Sequence, residues 1–169
     1  MAFCTEIKHC RICGGVNLVS VLNLGMQALT GVFPRTSGEK ITAGPLELVW
    51  CSNCGLLQLK HSFDPKEMYG ANYGYRSGLN QSMIGHLERK AHYLQSIVPL
   101  LPGDIVLDIG SNDATFLKAF SADGIIRIGI DPTGKKFRNY YVDGIKLIPE
   151  FFSAEGYRKE QINLLRMLP

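Results

Sequence analysis

The segment that decides the fold of the C-terminal half reads Ile105-Val106-Leu107-Asp108-Ile109-Gly110-Ser111-Asn112-Asp113. Its first five residues are the apolar run of a buried strand, and Gly110 begins a turn of small polar residues. The elements expected after this strand are, in chain order, a helix over residues 115–122, a strand over 125–130, a helix over 133–141 and a strand over 145–148. Strands alternating with helices at this spacing predict a parallel α/β sheet with right-handed crossovers.

The turn after the first strand indicates a class of ligand. A dinucleotide-binding turn requires the pattern G-x-G-x-x-G, whose second glycine lets the pyrophosphate approach, and Asn112 occupies that position here. S-adenosylmethionine carries no phosphate, and Asp131 at the end of the second strand suits both hydroxyls of its ribose, because a carboxylate accepts two hydrogen bonds. The pattern favours S-adenosylmethionine, and an α/β domain without a ligand is the alternative.

Residues 63–101 connect this half to the N-terminal part of the chain. Asp64-Pro65-Lys66-Glu67 predicts the start of a helix, with Asp as the cap and Pro at the first position. Tyrosines and glycines then alternate from Tyr69 to Gly78, a composition that suits a binding lid or, alternatively, a structural aromatic turn. A helix with one apolar face is expected from about residue 79 until the prolines at 99 and 102.

Two matching units near the N-terminus predict a metal site. Cys10-Arg-Ile-Cys13-Gly14 and Cys51-Ser-Asn-Cys54-Gly55 supply four thiolates, the tetrahedral ligand set that a structural zinc ion prefers. The glycine after each second cysteine lets the chain turn back, so that backbone N–H groups point at the sulfurs. Since no secretory signal is evident at the N-terminus, disulfides are disfavoured and zinc is the expected occupant.

The zinc site predicts a small β-rich module over residues 1–62, which alone would bury little apolar surface. Metal binding, worth about 10–16 kcal/mol in zinc-finger peptides, substitutes for a core. We expect strands over 17–22, 46–50 and 56–60, with a long loop over 25–44. The remaining candidate ligands are interpreted as a plain thiol and two surface histidines: Cys4, His9 and His61.

Composition indicates an ordinary globular protein. The 169 residues carry a net charge of +3, with 46% hydrophobic and 20% charged residues, so wholesale disorder is excluded. Basic residues are scattered, which argues against nucleic acid as a partner. Apolar runs are far shorter than the roughly 20 residues that cross a bilayer, so we expect no membrane association and a cytoplasmic location.

Taken together, the motifs resemble a known family. The two cysteine units, Tyr73-Gly-Tyr75-Arg76-Ser77 and Leu107-Asp108-Ile109-Gly110-Ser111-Asn112-Asp113 are similar in kind and order to those of the zinc-containing sugar C-methyltransferases, over about residues 7–158. The resemblance implies a class I methyltransferase, Rossmann-like fold that uses S-adenosylmethionine to methylate a nucleotide-linked keto-deoxysugar. It divides the chain into a zinc module (1–62), a linker with the tyrosine-rich loop and a helix (63–101) and the first part of the cofactor domain (102–169).

The resemblance also implies roles for individual residues. Those implied to bind S-adenosylmethionine are Asp108, Gly110, Ser111, Asn112, Asp131 and Arg76. Tyr73 and Tyr75 are the catalytic candidates, while the main general base of the family lies in a part that would follow residue 169. Ala114 departs from the family, which has glycine there.

The short parallel sheet has two expected consequences, and two alternative functions stay open. The chain alone would be incomplete for turnover, because its three strands are about half of a doubly wound sheet, and the last residues, 153–169, predict a single packing helix. The open sheet edge would favour self-association. The alternative functions are a zinc-ribbon binding module for nucleic acid or protein, without catalysis, and a nicotinamide-dependent oxidoreductase, which Asn112 disfavours.

Overall fold

The structure is a computed structural model that describes residues 4–29, 31, 33–70 and 73–165, with side chains up to residue 159. The chain forms two compact units, one up to Tyr75 and one from Arg76 onward. Among the described helices, none is long and apolar enough to cross a membrane.

The N-terminal unit is built from two small antiparallel sheets. Its elements are β1 (Cys4–Glu6), β2 (Leu18–Ala28), β3 (Ala43–Cys51), β4 (Leu57–Leu59), β5 (His61–Phe63) and a short helix, α1 (Pro65–Tyr69). Strands β2, β3 and β4 form one sheet in that order, and β1 pairs with β5 to form the other. The chain passes between the sheets at Lys60, whose N–H donates to Glu47 O while its carbonyl accepts from Ile7 N.

The prediction of a long loop over residues 25–44 is wrong for its first residues, because strand β2 continues to Ala28. Two register shifts interrupt its pairing with β3, one between Ser20 and Leu22 and one between Asn23 and Met26. At the second shift Gly25 has φ +66° and donates its N–H to the Asn23 side chain, so the strand bulges there and continues. A glycine that looks like a loop signal in the sequence is therefore a bulge inside a strand.

The capping residue predicted at the start of α1 is confirmed. Asp64 Oδ1 accepts a hydrogen bond from Lys66 N at 2.9 Å, and Pro65 is the first helical residue. Strand β1 was not expected from the sequence. Only three residues long, it forms because Cys4 to Glu6 can pair with Phe63 to His61.

The C-terminal unit has the partial Rossmann-like architecture that the sequence predicts. Its elements are α2 (Gln81–Ile97), β6 (Ile105–Ile109), α3 (Thr115–Lys118), β7 (Ile126–Ile130), α4 (Gly134–Phe137), β8 (Lys146–Ile148) and α5 (Ala154–Leu165). The three strands are parallel, in the order β6, β7, β8. Their carboxyl ends therefore lie at one edge of the sheet, which is where open α/β sheets bind ligands.

Apolar side chains cover both faces of this sheet. On one face Ile128 and Ile130 are buried with Tyr157 of α5, and on the other Ala114 and Leu117 pack with Ile145. Of the apolar residues expected on the last helix, Leu164 and Leu165 have side chains that are not described, and Met167 lies outside the described residues.

The helices flanking the strands are shorter than expected. Helix α2 begins at Gln81 rather than residue 79, because Asn80 caps it by accepting from Ser82 N. Helix α3 ends at Lys118 rather than 122, and α4 is one turn followed by a 3₁₀ turn over Arg138–Tyr140. Amphipathic periodicity fixes the type of these segments but not the residue at which tertiary packing ends them.

Candidate functional site

The two cysteine units fold into matching knuckles. In the first, Gly14 N donates to Cys10 O at 3.0 Å, and in the second Gly55 N donates to Cys51 O at 2.8 Å. Gly14 has φ +72° and Gly55 has φ +78°, a left-handed conformation that favours glycine. The glycines thus turn each knuckle so that both of its sulfurs face the same point.

The four sulfurs meet with the spacing of a zinc site. All lie within 4.8 Å of one another, and the distances across the two knuckles are 3.7 Å from Cys10 Sγ to Cys54 Sγ and 3.6 Å from Cys13 Sγ to Cys51 Sγ. A tetrahedron with zinc–sulfur bonds of about 2.3 Å has edges of about 3.8 Å. The residues therefore fit a tetrahedral zinc ion with no open position for water.

The clustered cysteine thiols can all lose their protons only when a cation offsets the negative charge of the thiolates. Backbone N–H groups of Cys13 and Ile12 lower the pKa of the Cys10 thiol to about 6. The Leu56 N–H acts in the same direction on Cys54, but the neighbouring sulfurs, beginning with Cys13, outweigh it and raise the pKa of Cys54 to about 12. A divalent ion removes that penalty by neutralising the thiolates.

Arg11 holds the first knuckle against the strands that follow the second. Its guanidinium donates to Leu59 O at 2.6 Å and to Ser62 Oγ at 2.9 Å, and both its side chain and its backbone N–H donate to Gln58 Oε1 at 3.2 Å. The buried Gln58 side chain lies close enough to Cys10 to add to the lowering of the pKa of its thiol. An N–H donor fixed beside the sulfurs is the outer shell that a thiolate–metal site requires.

The other candidate ligands stand apart from this cluster. Cys4 lies in β1, outside the four-cysteine group, and His9 is exposed, with Nδ1 3.2 Å from Gly14 O. His61 is half-buried rather than at the surface, and its Nδ1 is buried without a hydrogen-bond partner.

In the C-terminal unit, the predicted cofactor residues gather where β6 and β7 end. Gly110 is exposed at φ +81° and donates to Ile130 O, which extends the pairing of the two strands by one residue. Asn112 follows in the left-handed conformation, φ +51°, and its N–H donates to Asp131 Oδ2 at 2.8 Å. The structure thus brings Gly110, Asn112 and Asp131 together at one edge of the sheet.

Asp113 and Asp131 use the same local device, an Asp-x-Thr turn. Oδ1 of Asp113 accepts from the N–H and hydroxyl of Thr115, and Oδ1 of Asp131 accepts from the N–H and hydroxyl of Thr133. Since Oδ1 of each aspartate is occupied by the threonine, Oδ2 can accept hydrogen bonds from another segment of the chain. Sequence reasoning missed these threonines, although the repeated spacing in Asp113-Ala-Thr115 and Asp131-Pro-Thr133 is a readable signal.

The second oxygens hold different groups. Asp113 Oδ2 accepts from Gly78 N at 3.0 Å and from the Arg76 guanidinium at 3.3 Å, so its four acceptor positions are filled. Among the described hydrogen bonds Asp131 accepts three, one fewer than a carboxylate can take. The two buried aspartates therefore differ in how much of their acceptor capacity the protein uses.

The segment after Tyr75 is fixed on this turn. Ser77 N donates to the Asn112 side chain at 2.9 Å, beside the contacts that Arg76 and Gly78 make with Asp113. The Arg76 guanidinium also lies over the Tyr140 ring, 4.3 Å from its centroid. Arg76 is therefore held by an ion pair and an aromatic ring, and the Asn112 side chain binds protein.

Asp108 is half-buried near the end of β6. Burial raises the pKa of its carboxyl to about 6, and the negative charge of Asp131 adds to the effect. Ala114, which stands where the resembling family has glycine, adopts φ +60° with its methyl fully buried. The methyl packs with Leu117 and Ile145 in the core and so adds to the packing under the turn.

The two candidate catalytic tyrosines lie in the N-terminal unit. Tyr73 is half-buried and Tyr75 is exposed, with their ring centroids 6.5 Å apart. Together with Gly31, Phe33, Met68 and Tyr69 they line a cavity of about 280 Å³. Gly31 is required there, because a Cβ would lie 2.5 Å from the Tyr73 ring.

Comparisons with known proteins find a zinc-binding domain and a methyltransferase that are similar to this chain. Residues 10–69, which contain all four zinc-site cysteines, match a family model described as "Putative zinc binding domain". Over 154 residues the chain is 30% identical to the C-methyltransferase NovU of Streptomyces niveus. The chain is therefore similar to a C-methyltransferase, and its cysteines lie in a segment similar to a zinc-binding domain. The alignment covers 88% of this chain and 36% of that relative, so the chain spans about a third of the relative's length.

The first prediction concerns the metal. Cys51→Ser should reduce the zinc content of the purified protein from about one ion per chain to well below one, because a site of three thiolates and a hydroxyl binds zinc more weakly. Cys4→Ser is the matched control and should keep the full zinc content, since Cys4 lies outside the cluster. Metal analysis by mass spectrometry measures both, and a full zinc ion in Cys51→Ser would contradict the assignment.

The second prediction concerns Asp108 and pH. Its raised pKa means that between about pH 4 and 6 the folded protein keeps a proton that the unfolded chain has released, and this stabilisation is lost as the pH rises through about 6. Asp108→Asn should therefore raise the free energy of unfolding at pH 7.5 by about 1–2 kcal/mol, after allowance for partial exposure, and change it little at pH 4.

Thermal unfolding of the ligand-free protein at both pH values tests this, with the exposed Asp123→Asn as the control. Equal effects of Asp108→Asn at the two pH values would show that the carboxyl does not titrate as stated.

The third prediction concerns the attachment of Arg76 and Gly78. A Cβ on Gly78 would lie 2.6 Å from Asp113 Oδ2 and 2.9 Å from Thr115 Oγ1, so Gly78→Ala should break these contacts and lower the free energy of unfolding by about 1–3 kcal/mol. In Gly85→Ala the new Cβ meets only the end of the Arg89 side chain, and alanine should stabilise α2 by up to about 1 kcal/mol. Opposite shifts of the unfolding midpoint are expected, and an unchanged midpoint in Gly78→Ala would refute the attachment.

Proposed function

We propose that this chain forms the zinc-binding and S-adenosylmethionine-binding part of a C-methyltransferase that acts on a nucleotide-linked keto-deoxysugar. The similarity to NovU, a C-methyltransferase, supports the reaction class. The observation that carries the cofactor assignment is the remaining acceptor position on Asp131, at the edge of the sheet where open α/β folds bind ligands.

Asp131 would hold the ribose of the cofactor through a single hydroxyl. Three protein donors already fix the carboxylate, so it would bind without reorganising. The exposed backbone of Gly110 would face the methionine portion of the cofactor. Ser111 and Asn112 are buried and would hold the turn in place through their contacts within the protein. Asp108 lies near the end of β6 and would be the second acidic residue of the cofactor site.

A dinucleotide fits this turn less well. Asn112 stands where the pyrophosphate would need glycine, and its side-chain oxygen is committed to Ser77 N. The Asn112 side chain therefore belongs to the protein contact between the turn and residues 76–78, and moving it aside would break that contact. This favours S-adenosylmethionine over a nicotinamide cofactor.

S-adenosylmethionine supplies an electrophilic methyl group on a sulfonium. The residues of this chain would bind and orient it, and Tyr73 and Tyr75 would approach the sugar or the proton on the carbon next to its ketone. The zinc ion would have a structural role, because four sulfurs close its coordination shell.

The fourth prediction tests the cofactor. Isothermal titration of the zinc-loaded chain should show binding of S-adenosylmethionine and of S-adenosylhomocysteine but not of NADH or a DNA oligonucleotide. Asp131→Ala removes the acceptor and should weaken binding by about ten- to a hundredfold while the zinc content stays at one, because a hydrogen bond to a charged group is worth about 1.5–3 kcal/mol. Asp123→Ala, a change of the same kind at an exposed site, should leave the affinity unchanged.

Two results would overturn the proposal. Unchanged affinity in Asp131→Ala would remove the ribose assignment. Binding of the oligonucleotide but not of S-adenosylmethionine would favour a zinc-ribbon module without catalysis.

A further inference from the structure

Tyr141 lies directly under the turn that joins β6 to α3. Its hydroxyl oxygen is 2.8 Å from Ser111 Oγ and 2.9 Å from Asn112 O, and it reaches them from a segment about 30 residues further along the chain. The ring packs against the core cluster of Ala114 and Leu117.

The directions of these hydrogen bonds follow from chemistry. A carbonyl can only accept, so the single proton of the Tyr141 hydroxyl goes to Asn112 O. The Ser111 hydroxyl must then donate its proton to the Tyr141 oxygen. Burial raises the pKa of Tyr141, which keeps it protonated as this donor. The Ser111 proton is thereby directed into the protein rather than toward a ligand.

Gly129 makes room for the Tyr141 ring, and Gly134 lies beside the Tyr141 hydroxyl and Leu147. A Cβ on Gly129, in the middle of β7, would lie 2.8 Å from the Tyr141 ring and 2.5 Å from Ser111 Oγ. A Cβ on Gly134 would lie 3.3 Å from the Tyr141 hydroxyl and 2.4 Å from a methyl of Leu147. Glycine inside a strand usually marks the close approach of another group, and here that group is Tyr141 with the serine it binds.

Asn112 needs such support because it adopts a left-handed conformation at φ +51°. Its N–H is held by Asp131 and its carbonyl by Tyr141, so the peptide groups on both sides of its Cα are fixed. Without the tyrosine hydroxyl, the carbonyl would lose this hydrogen bond and the left-handed turn would be held less firmly.

We propose that Tyr141 is a positioning residue that holds the Ser111–Asn112 turn in the conformation that receives S-adenosylmethionine. The proposal rests on the proposed function for its ligand. It adds that the affinity of the site depends on a tyrosine that does not touch the cofactor. The hydroxyl acts by pre-organising the turn, which lowers the conformational cost of binding.

The fifth prediction compares two Tyr→Phe variants. Tyr141→Phe removes only the hydroxyl, and in the ligand-free protein the backbone amides of residues 110–114 should exchange hydrogen about tenfold faster than in the parent. Its affinity for S-adenosylmethionine should fall by a similar factor. Tyr93→Phe is the matched control: Tyr93 is exposed on α2, and neither quantity should change.

Ser111→Ala separates the two hydrogen bonds. Tyr141 still donates to Asn112 O in that variant, so we expect a smaller effect on exchange than in Tyr141→Phe. The double variant should resemble Tyr141→Phe, because Ser111 is held through the tyrosine oxygen. If Tyr141→Phe does not fold, the exchange of residues 110–114 in Ser111→Ala is the remaining test, and it should exceed that of the parent.

The outcomes for the inference and for the proposed function are distinguishable. If the parent binds S-adenosylmethionine and Tyr141→Phe binds it equally well, the inference is wrong and the function stands. If the parent binds none, the function is wrong, and unchanged exchange in Tyr141→Phe would show that the tyrosine does not hold the turn. An equal effect of Tyr93→Phe would also overturn the inference.

Discussion

Four cysteine sulfurs within 4.8 Å of one another are the constraint on which the N-terminal unit depends. The buried apolar side chains described there are only Leu29, Val49 and two of those cysteines, Cys10 and Cys51. A core of this size cannot offset the conformational entropy of the chain. A bound metal ion stabilises this unit in place of a larger core. Its positive charge lies between four thiolates that would otherwise repel one another.

The C-terminal unit orders its functional edge with carboxylates. Turns at the end of a sheet have backbone N–H groups that no neighbouring strand can accept, and Asp113 and Asp131 accept them instead. Each aspartate fixes its own threonine with one oxygen and a distant segment with the other. These hydrogen bonds fix the turns at this edge of the sheet, and Asp131 accepts one hydrogen bond fewer than Asp113 does.

Sequence reasoning succeeded for the parts of the fold that short patterns encode. The cysteine units gave the zinc cluster, and apolar runs gave β6, β7 and β8 within one residue at each end. It was wrong where pairing with a distant strand decided the outcome. Strand β1 forms because β5 offers a partner, and β2 passes through Gly25 because β3 continues to pair with it. Local propensity in the sequence does not carry that information.

By itself the sequence determined the four clustered cysteines, the order of the strands and helices of the C-terminal sheet, and the positions of Asn112 and Asp131 after two neighbouring strands. Only the tertiary structure decided how the hydrogen-bonding capacity of each side chain is used. Asp113 is filled by a segment 35 residues earlier in the chain, and the Asn112 carbonyl is bound by Tyr141, 29 residues later. A residue type states how many hydrogen bonds are available, but the fold determines which partners come within 3 Å, and so which group is left to bind a ligand.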